Sequence, residues 1–417
     1  MQGLERPPIP AVVQQHAQDC AHLRHVRSVL VRAPHVRLRH LRRLDERIAA
    51  HLDGLVVAGA YGRALCTAAL ASPGAGEVFA VAVLALNGQD RPALQRLLAL
   101  AAELPSARRG LLSALGWLPA TALQGTVQAL LSAVNPAWRA LGLAACRLHR
   151  TDPGAALESA LAADVPLRAE ALRTAGALGR TDLRDHALAA LDGEIADQAA
   201  WTACLLGDRD ASLRHLALRA QDDGPDAEAA LALLLRAAPF TDAQGAVAAL
   251  SQRVRQAPAL RRQLVRAIGV LGDAQHVPWL IALMDDLRFA RLAGESFSLI
   301  TGADLAALDL ERKPPARLNG PSDDPEDENV ALDEDEGLPW PEREKVQRWW
   351  QARAMNVPAG VRLFMGAPTS ASQAAQVLRE GTQRQRLLAA REQALLQPGR
   401  PLFDVHAPAW RQQRLLA

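Results

Sequence analysis

Lysine is nearly missing from this chain. Of 47 basic side chains only Lys313 and Lys345 are lysine, and the rest are arginine. Arginine presents a planar fork suited to bidentate carboxylate or phosphate contacts, although an Ala, Leu and Arg excess also fits a GC-rich coding sequence. Aromatic residues make up only 4%, so the core must be built from small and branched aliphatic side chains, as in closely stacked helices. Aromatic and β-branched runs that favour strands are scarce, and the expected fold class is all-α. Cys20, Cys66, Cys146 and Cys204 are scattered, with no C-x-x-C pair. That spacing matches no metal pattern and fits small apolar residues in a reducing compartment. The first 20 residues lack the apolar core and cleavage site of a signal peptide. No apolar run approaches the roughly 18 residues of a transmembrane helix. A cytoplasmic protein without membrane contact is expected. A formal charge of +2 gives the whole molecule no pull toward nucleic acid. Nucleophile elbow, phosphate-binding glycine loop, H-E-x-x-H and dinucleotide fingerprint are all missing. The expectation is therefore no enzyme, no catalytic residue, no cofactor and no metal.

What is present is a recurring helical phrase. "RALGLAACRLHRTD" at 139–152 returns as "RAEALRTAGALGRTD" at 168–182. Echoes lie at 80–90, 111–121, 199–210 and 264–275. Self-similarity at this period marks stacked helical pairs, because one pair cannot bury its own apolar face. The predicted organisation is an N-terminal helical region (1–75), a repeat array (76–310), an acidic proline-rich loop (311–341) and a C-terminal helical region (342–417). In the first region Leu38, Leu41, Leu44, Ile48 and Leu52 form a stripe at helical spacing, with a stop expected at Asp53-Gly54. Within the array Asp152-Pro153 reads as a helix N-cap followed by Pro at the first helical position. Leu172, Leu178, Leu183, Leu188 and Leu191 should face neighbouring units, each worth about 2 kcal/mol on burial. One helix is expected near Ser370–Leu396.

The strongest functional candidate is the acidic segment. Nine carboxylates, Asp323, Asp324, Glu326, Asp327, Glu328, Asp333, Glu334, Asp335 and Glu336, occur with no Lys or Arg between them. Such a segment reads as a weakly ordered loop. It either keeps the chain solvated, fills a positive cleft of a nucleic-acid-processing partner by imitating phosphate charge, or takes a cation at a spacing that matches no EF-hand. The second candidate is the stretch from His22 to Arg47, which holds eight Arg and four His against Asp45 and Glu46. It reads as a solvated helix face, open to pairing with the acidic loop; a nucleic-acid-binding face is the alternative, although the aromatic interleaving of a single-strand binder is missing. Its histidines, His22, His25, His35 and His40, lack a third ligand at metal spacing. Trp349-Trp350 offers a partner anchor in Trp349. Neighbours on a helix point about 100° apart, which predicts one ring in the core and one half-exposed.

The Ala/Leu helices closed by a Gly-Asp turn resemble HEAT-like repeats. "RAPHVRLRHLRRLDERIAAHLDGLVVAG" at 32–59, "FSLITGADL" at 297–305, "VQRWW" at 346–350 and "VLREGTQRQRLLAAREQALL" at 377–396 are similar to blocks of a proteobacterial family of HEAT-repeat proteins of unknown chemistry. That family tends to carry aromatics in its first helix, where this chain has "HLRHVR". Members are often encoded beside type VI secretion genes, and some resemble immunity proteins. The resemblance implies a HEAT-like α-solenoid with a toxin-binding role. With the acidic segment Asp323–Glu336, the expected function is an immunity protein, monomeric when unbound, that neutralises a cognate secreted toxin, a DNase by expectation, by occluding or locking its active site. An adaptor or assembly factor of the secretion machinery is the alternative. A HEAT-like repair glycosylase would need an aromatic-lined pocket. The array offers too few aromatics for one, essentially Trp117, Trp138, Trp201, Phe240 and Trp279.

Overall fold

The computed structural model describes residues 7–315 and 333–417. Among the described residues the chain is all-α, with 22 α-helices. The only strands among them are two short antiparallel ribbons, Glu311–Arg312 with Trp340–Pro341 and Leu363–Phe364 with Ala367–Pro368. No single helix among them is long and apolar enough to cross a membrane. Two compact units form. One comprises the chain up to Arg32, Val36–His186 and Gly399–Ala417; the other comprises Ala33–His35 and Ala187–Pro398. The boundaries expected at 75, 310 and 341 follow composition, whereas the compact units part at 186 and 398.

The recurring phrase has a local structural meaning. Five of the six copies are a helix, a left-handed closing turn and an aspartate at the next segment, whereas the copy at 111–121 leaves its helix through extended Leu118 and Pro119. Left-handed backbone occurs at Gln89, Arg150, Gly179, Gly207 and Gly272. The next amide in the chain reaches back five residues, as in Asp90 N to Ala85 O at 2.8 Å, Thr151 N to Cys146 O at 2.9 Å, Arg180 N to Ala175 O at 3.0 Å and Asp208 N to Ala203 O at 2.9 Å. This satisfies carbonyls that a helix end leaves without partners. The aspartates then accept backbone amides: Asp90 from Ala93, Asp208 from Ser212, Asp273 from Gln275. Asp152 departs from the expected cap. It accepts the Gly154 amide in a turn, and the helix begins two residues later, as Ala155–Leu161.

In the first unit the helix Ala75–Asn87 is the core. Val78 to Leu86 are all buried, as befits a helix apolar on every side. It packs on Pro10–Leu30 and on Pro105–Trp117, and Phe79 meets Trp117 edge-on at 5.8 Å. The Leu38–Val57 helix buries Leu41, Leu44, Ile48 and Leu52 as expected, together with Leu55, whereas Leu38, the first residue of the expected stripe, is only half-buried. Its expected stop at Asp53-Gly54 is wrong. The helix continues, because Gly54 provides clearance: a Cβ there would stand 2.7 Å from the His16 ring. Asp45, one of two acids in the basic stretch, is buried. It accepts the Ala409 amide at 2.7 Å, capping the helix Ala409–Leu416 from a distant part of the chain.

In the second unit, Arg261–Leu271 packs on Ala290–Thr301. The Ser296 hydroxyl donates to Val265 O at 2.8 Å in the buried contact. The expected single helix near 370–396 is two, Ala371–Glu380 and Gln383–Leu396. Thr382 starts the second with a capping box, its amide donating to the Gln385 side chain at 2.9 Å.

The C-terminal residues of each unit dock on ends of its earlier helices. In the second unit Leu363 N donates to Gly272 O at 2.8 Å, Met365 N to Leu299 O at 2.7 Å and Gly366 N to Ile300 O at 3.0 Å. Arg362 donates to the Arg236 and Ala238 carbonyls. Burial draws its guanidinium down to about 10. In the first unit Leu402 N donates to Ala177 O at 2.8 Å, and Arg150 donates to Pro401 O at 3.0 Å. Helix-end carbonyls that water would otherwise satisfy are thus closed by the chain itself.

Candidate functional site

Four of the nine acidic residues lie among the described residues, and three of these are tied to arginines of the second unit. Arg262 and Arg266 stand four apart on Arg261–Leu271, hence on one helix face. Arg291 is in the first turn of Ala290–Thr301, the helix packed on Arg261–Leu271. Between the two ribbon strands the chain turns at Asp333–Gly337. Asp333 accepts the Asp335 amide at 3.0 Å, and Gly337 adopts φ +78°. This turn aims its carboxylates at the arginine face.

Asp335 is 4% exposed and takes both arms of Arg262, at 2.6 and 3.0 Å. Asp333 takes Arg291 at 2.7 and 2.9 Å. The same guanidinium lies over the Trp340 ring at 4.7 Å and donates to Asp335 O at 3.1 Å. Glu334 accepts from Arg266 at 2.7 Å, and Arg266 also reaches Glu228 at 3.2 Å. Below the turn Arg384 donates to Glu295 at 2.9 Å and to Glu334 O at 3.0 Å. Bidentate, charge-assisted pairing of this kind fixes orientation as well as energy.

These contacts set the electrostatics of the turn. The Arg266 hydrogen bond, then the charges of Arg266 and Arg262, hold the Glu334 carboxyl below its ordinary value against partial burial. Burial lowers the Arg262 guanidinium, but Asp335 and Glu334 outweigh it and the net shift is upward. Burial pushes the Glu295 carboxyl up, with Arg384 opposing.

The sequence reading of a weakly ordered loop over 311–341 is therefore corrected for Asp333, Glu334 and Asp335, which are fixed by arginines far away in the chain. Glu336 is exposed. Asp323, Asp324, Glu326, Asp327 and Glu328 lie outside the described residues.

Trp349 is half-buried on Arg343–Gln351. Its ring meets Phe297 at 5.8 Å, Arg353 lies over it at 4.3 Å, and its indole N–H is buried without a hydrogen-bond partner. Trp350 reaches the same Phe297 at 6.4 Å. The expected split into one core ring and one half-exposed ring is not observed: both are half-buried against the same phenylalanine.

The basic stretch is not simply a solvated face. Arg27 binds Asp45 at 2.6 and 3.3 Å and donates to the carbonyls of His406 and Ala407. Arg24 donates to the Ser113 hydroxyl at 2.6 Å. His40 accepts the Arg37 amide at 3.2 Å. Among the described residues no three His, Cys, Asp or Glu side chains group as metal ligands would. All four cysteines are buried. Burial, reinforced by Cys66, pushes the Cys20 thiol up to about 12, and burial lifts Cys66 to about 11.

Comparison with family models, with curated proteins and with solved structures gives no match to this chain.

Proposed function

We propose that this chain is a HEAT-like α-solenoid that binds a protein partner, and that the partner is a cognate type VI secretion toxin which it neutralises in the cytoplasm as an immunity protein. A nuclease toxin fits the acidic segment best, because a positive cleft shaped for phosphate attracts carboxylates. The supporting observation is the arginine-held turn at Asp333–Asp335 together with the ribbon pairing Glu311–Arg312 to Trp340–Pro341. These contacts fix both ends of a chain segment that carries five further carboxylates in its sequence. An acidic segment tethered at both ends loses less entropy on binding than a free tail. The resemblance to the HEAT-repeat family supplies the secretion context.

The test converts Asp323, Asp324, Glu326, Asp327 and Glu328 to amides and leaves Asp333–Asp335 unchanged. Toxin binding and protection of the producing cell should both weaken, the more so at low salt. Unchanged protection would remove the acidic segment from the mechanism.

A further inference from the structure

A second feature lies in the first unit, apart from the acidic turn. Helix Pro10–Leu30, helix Pro105–Trp117, helix Pro136–His149 and the C-terminal residues 404–411 enclose a cavity of about 290 Å³. Its wall carries Arg24, Arg27, Arg32, Arg147 and Arg411 beside the apolar faces of Phe79 and Trp117. Two of these arginines reach carboxylates, although Glu170 also binds Arg173 at 2.6 Å. Arg27 is paired with Asp45, and Arg147 with Glu170 at 3.2 Å. Arg411 and Arg24 hydrogen-bond neutral acceptors. Arg411 is 6% exposed and donates to the carbonyls of Leu118 at 3.0 Å and Leu148 at 3.3 Å. Arg24 donates to Ser113 Oγ at 2.6 Å and to Arg109 O at 3.4 Å. Asp404 is the one carboxylate lining the cavity among the described residues. Its oxygen is engaged by the His406 amide at 2.9 Å and faces the His406 ring at 3.6 Å.

Burial of positive charge without a matching anion is unfavourable. Both arginines register it. Burial, opposed by Asp404, draws Arg411 down to about 10. Burial, then Arg109 and Arg27, lowers Arg24. An incoming oxyanion would relieve this, since guanidinium forks match its geometry.

We propose that this cavity is a binding site for a phosphate group, held by Arg24 and Arg411, with Trp117 and Phe79 as the apolar wall. The volume is at the small end for ligand pockets, which suits a phosphate monoester of a small organic molecule or inorganic phosphate. The site stands independently of the toxin-binding proposal.

The experiment titrates the full chain with phenyl phosphate and, separately, inorganic phosphate, by calorimetry and by thermal midpoint, with sodium chloride matched for ionic strength. Saturable binding and a midpoint that rises with probe concentration are expected with at least one probe. Tighter binding of the ester assigns an organic phosphate, and equal binding assigns the free ion. Arg24→Gln should weaken binding roughly tenfold or more, with Arg24→Lys between the two because it keeps the charge and loses the fork. The wild-type midpoint series is decisive even where a variant folds poorly. No saturation and no midpoint shift beyond the chloride control with either probe would overturn the proposal. So would unchanged affinity in a folded Arg24→Gln chain.

Discussion

Replacing Asp335 by Asn should loosen the acidic turn while leaving the helices beneath it intact. Asp335 is 4% exposed and takes two guanidinium hydrogen bonds from Arg262. Breaking a fully buried pair from one side costs about 3–5 kcal/mol. Two features lower that figure here. The Arg262 side chain is 31% exposed, and Glu334 at 3.4 Å remains to share its charge. About 2 kcal/mol is left, a factor of roughly 30 in a local opening equilibrium. Hydrogen exchange by mass spectrometry on a peptide spanning 333–341 reads this directly. The Leu338 amide, which donates to Asp335 O at 3.0 Å, and the Glu336 amide, which donates to Asp333 O at 3.1 Å, should both exchange faster by about that factor. Glu336→Gln, at an exposed position, serves as the control and should change nothing. If Asp335→Asn leaves exchange within about threefold of wild type, the turn is not held by these arginines and the reasoning fails.

Further outcomes can be checked separately. The Glu334 carboxyl is held below its ordinary value chiefly by Arg266, so its contribution is present above the unfolded carboxyl value of 4.5 and is lost as pH falls through the lower folded value. Urea unfolding from pH 7 to pH 3 should therefore show a smaller acid loss for Glu334→Gln, and an identical pH profile would count against the pairing. Gly272→Ala should lower the thermal midpoint by the equivalent of at least about 2 kcal/mol. The residue sits at φ +77°, and a Cβ there would meet Leu363 O at 2.0 Å; a midpoint within a degree of wild type would contradict that docking. Leu172→Ala, at a residue 1% exposed, should cost roughly 2–5 kcal/mol in urea unfolding, and a loss under 1 kcal/mol would place Leu172 outside the core. The four buried thiols, raised to about 11–12, should react with a disulfide reagent at pH 8 only after denaturation. One fast-reacting thiol in the native chain would contradict the burial.

Much of the helical frame was legible because it rests on local periodicity. Of the stripe Leu38, Leu41, Leu44, Ile48 and Leu52 all but the first residue are buried, and five of the six copies of the repeated phrase mark a helix with its left-handed stop. Local signals failed where a residue serves a distant neighbour. Gly54 reads as a terminator but clears space for His16. Gly381 and Thr382 divide one apparent helix because a capping box is available there. The candidate site was half legible: composition marks the acidic segment, but nothing local announces that Asp335 meets Arg262, 73 residues away in the chain. The same holds for Arg24 and Arg411, which only the folded first unit brings to one cavity. Pairing across such separations depends on the packing of helices whose own sequences carry no record of the partner.

The central claim is that the chain captures one toxin. The most direct measurement is co-purification of the full chain from its native cell at moderate salt, with mass spectrometry of the proteins that stay bound. A single secreted toxin domain, recovered in stoichiometric amount and inactive while bound, is the predicted result. Recovery of secretion-sheath or baseplate components without any toxin would contradict the claim and establish an assembly role instead.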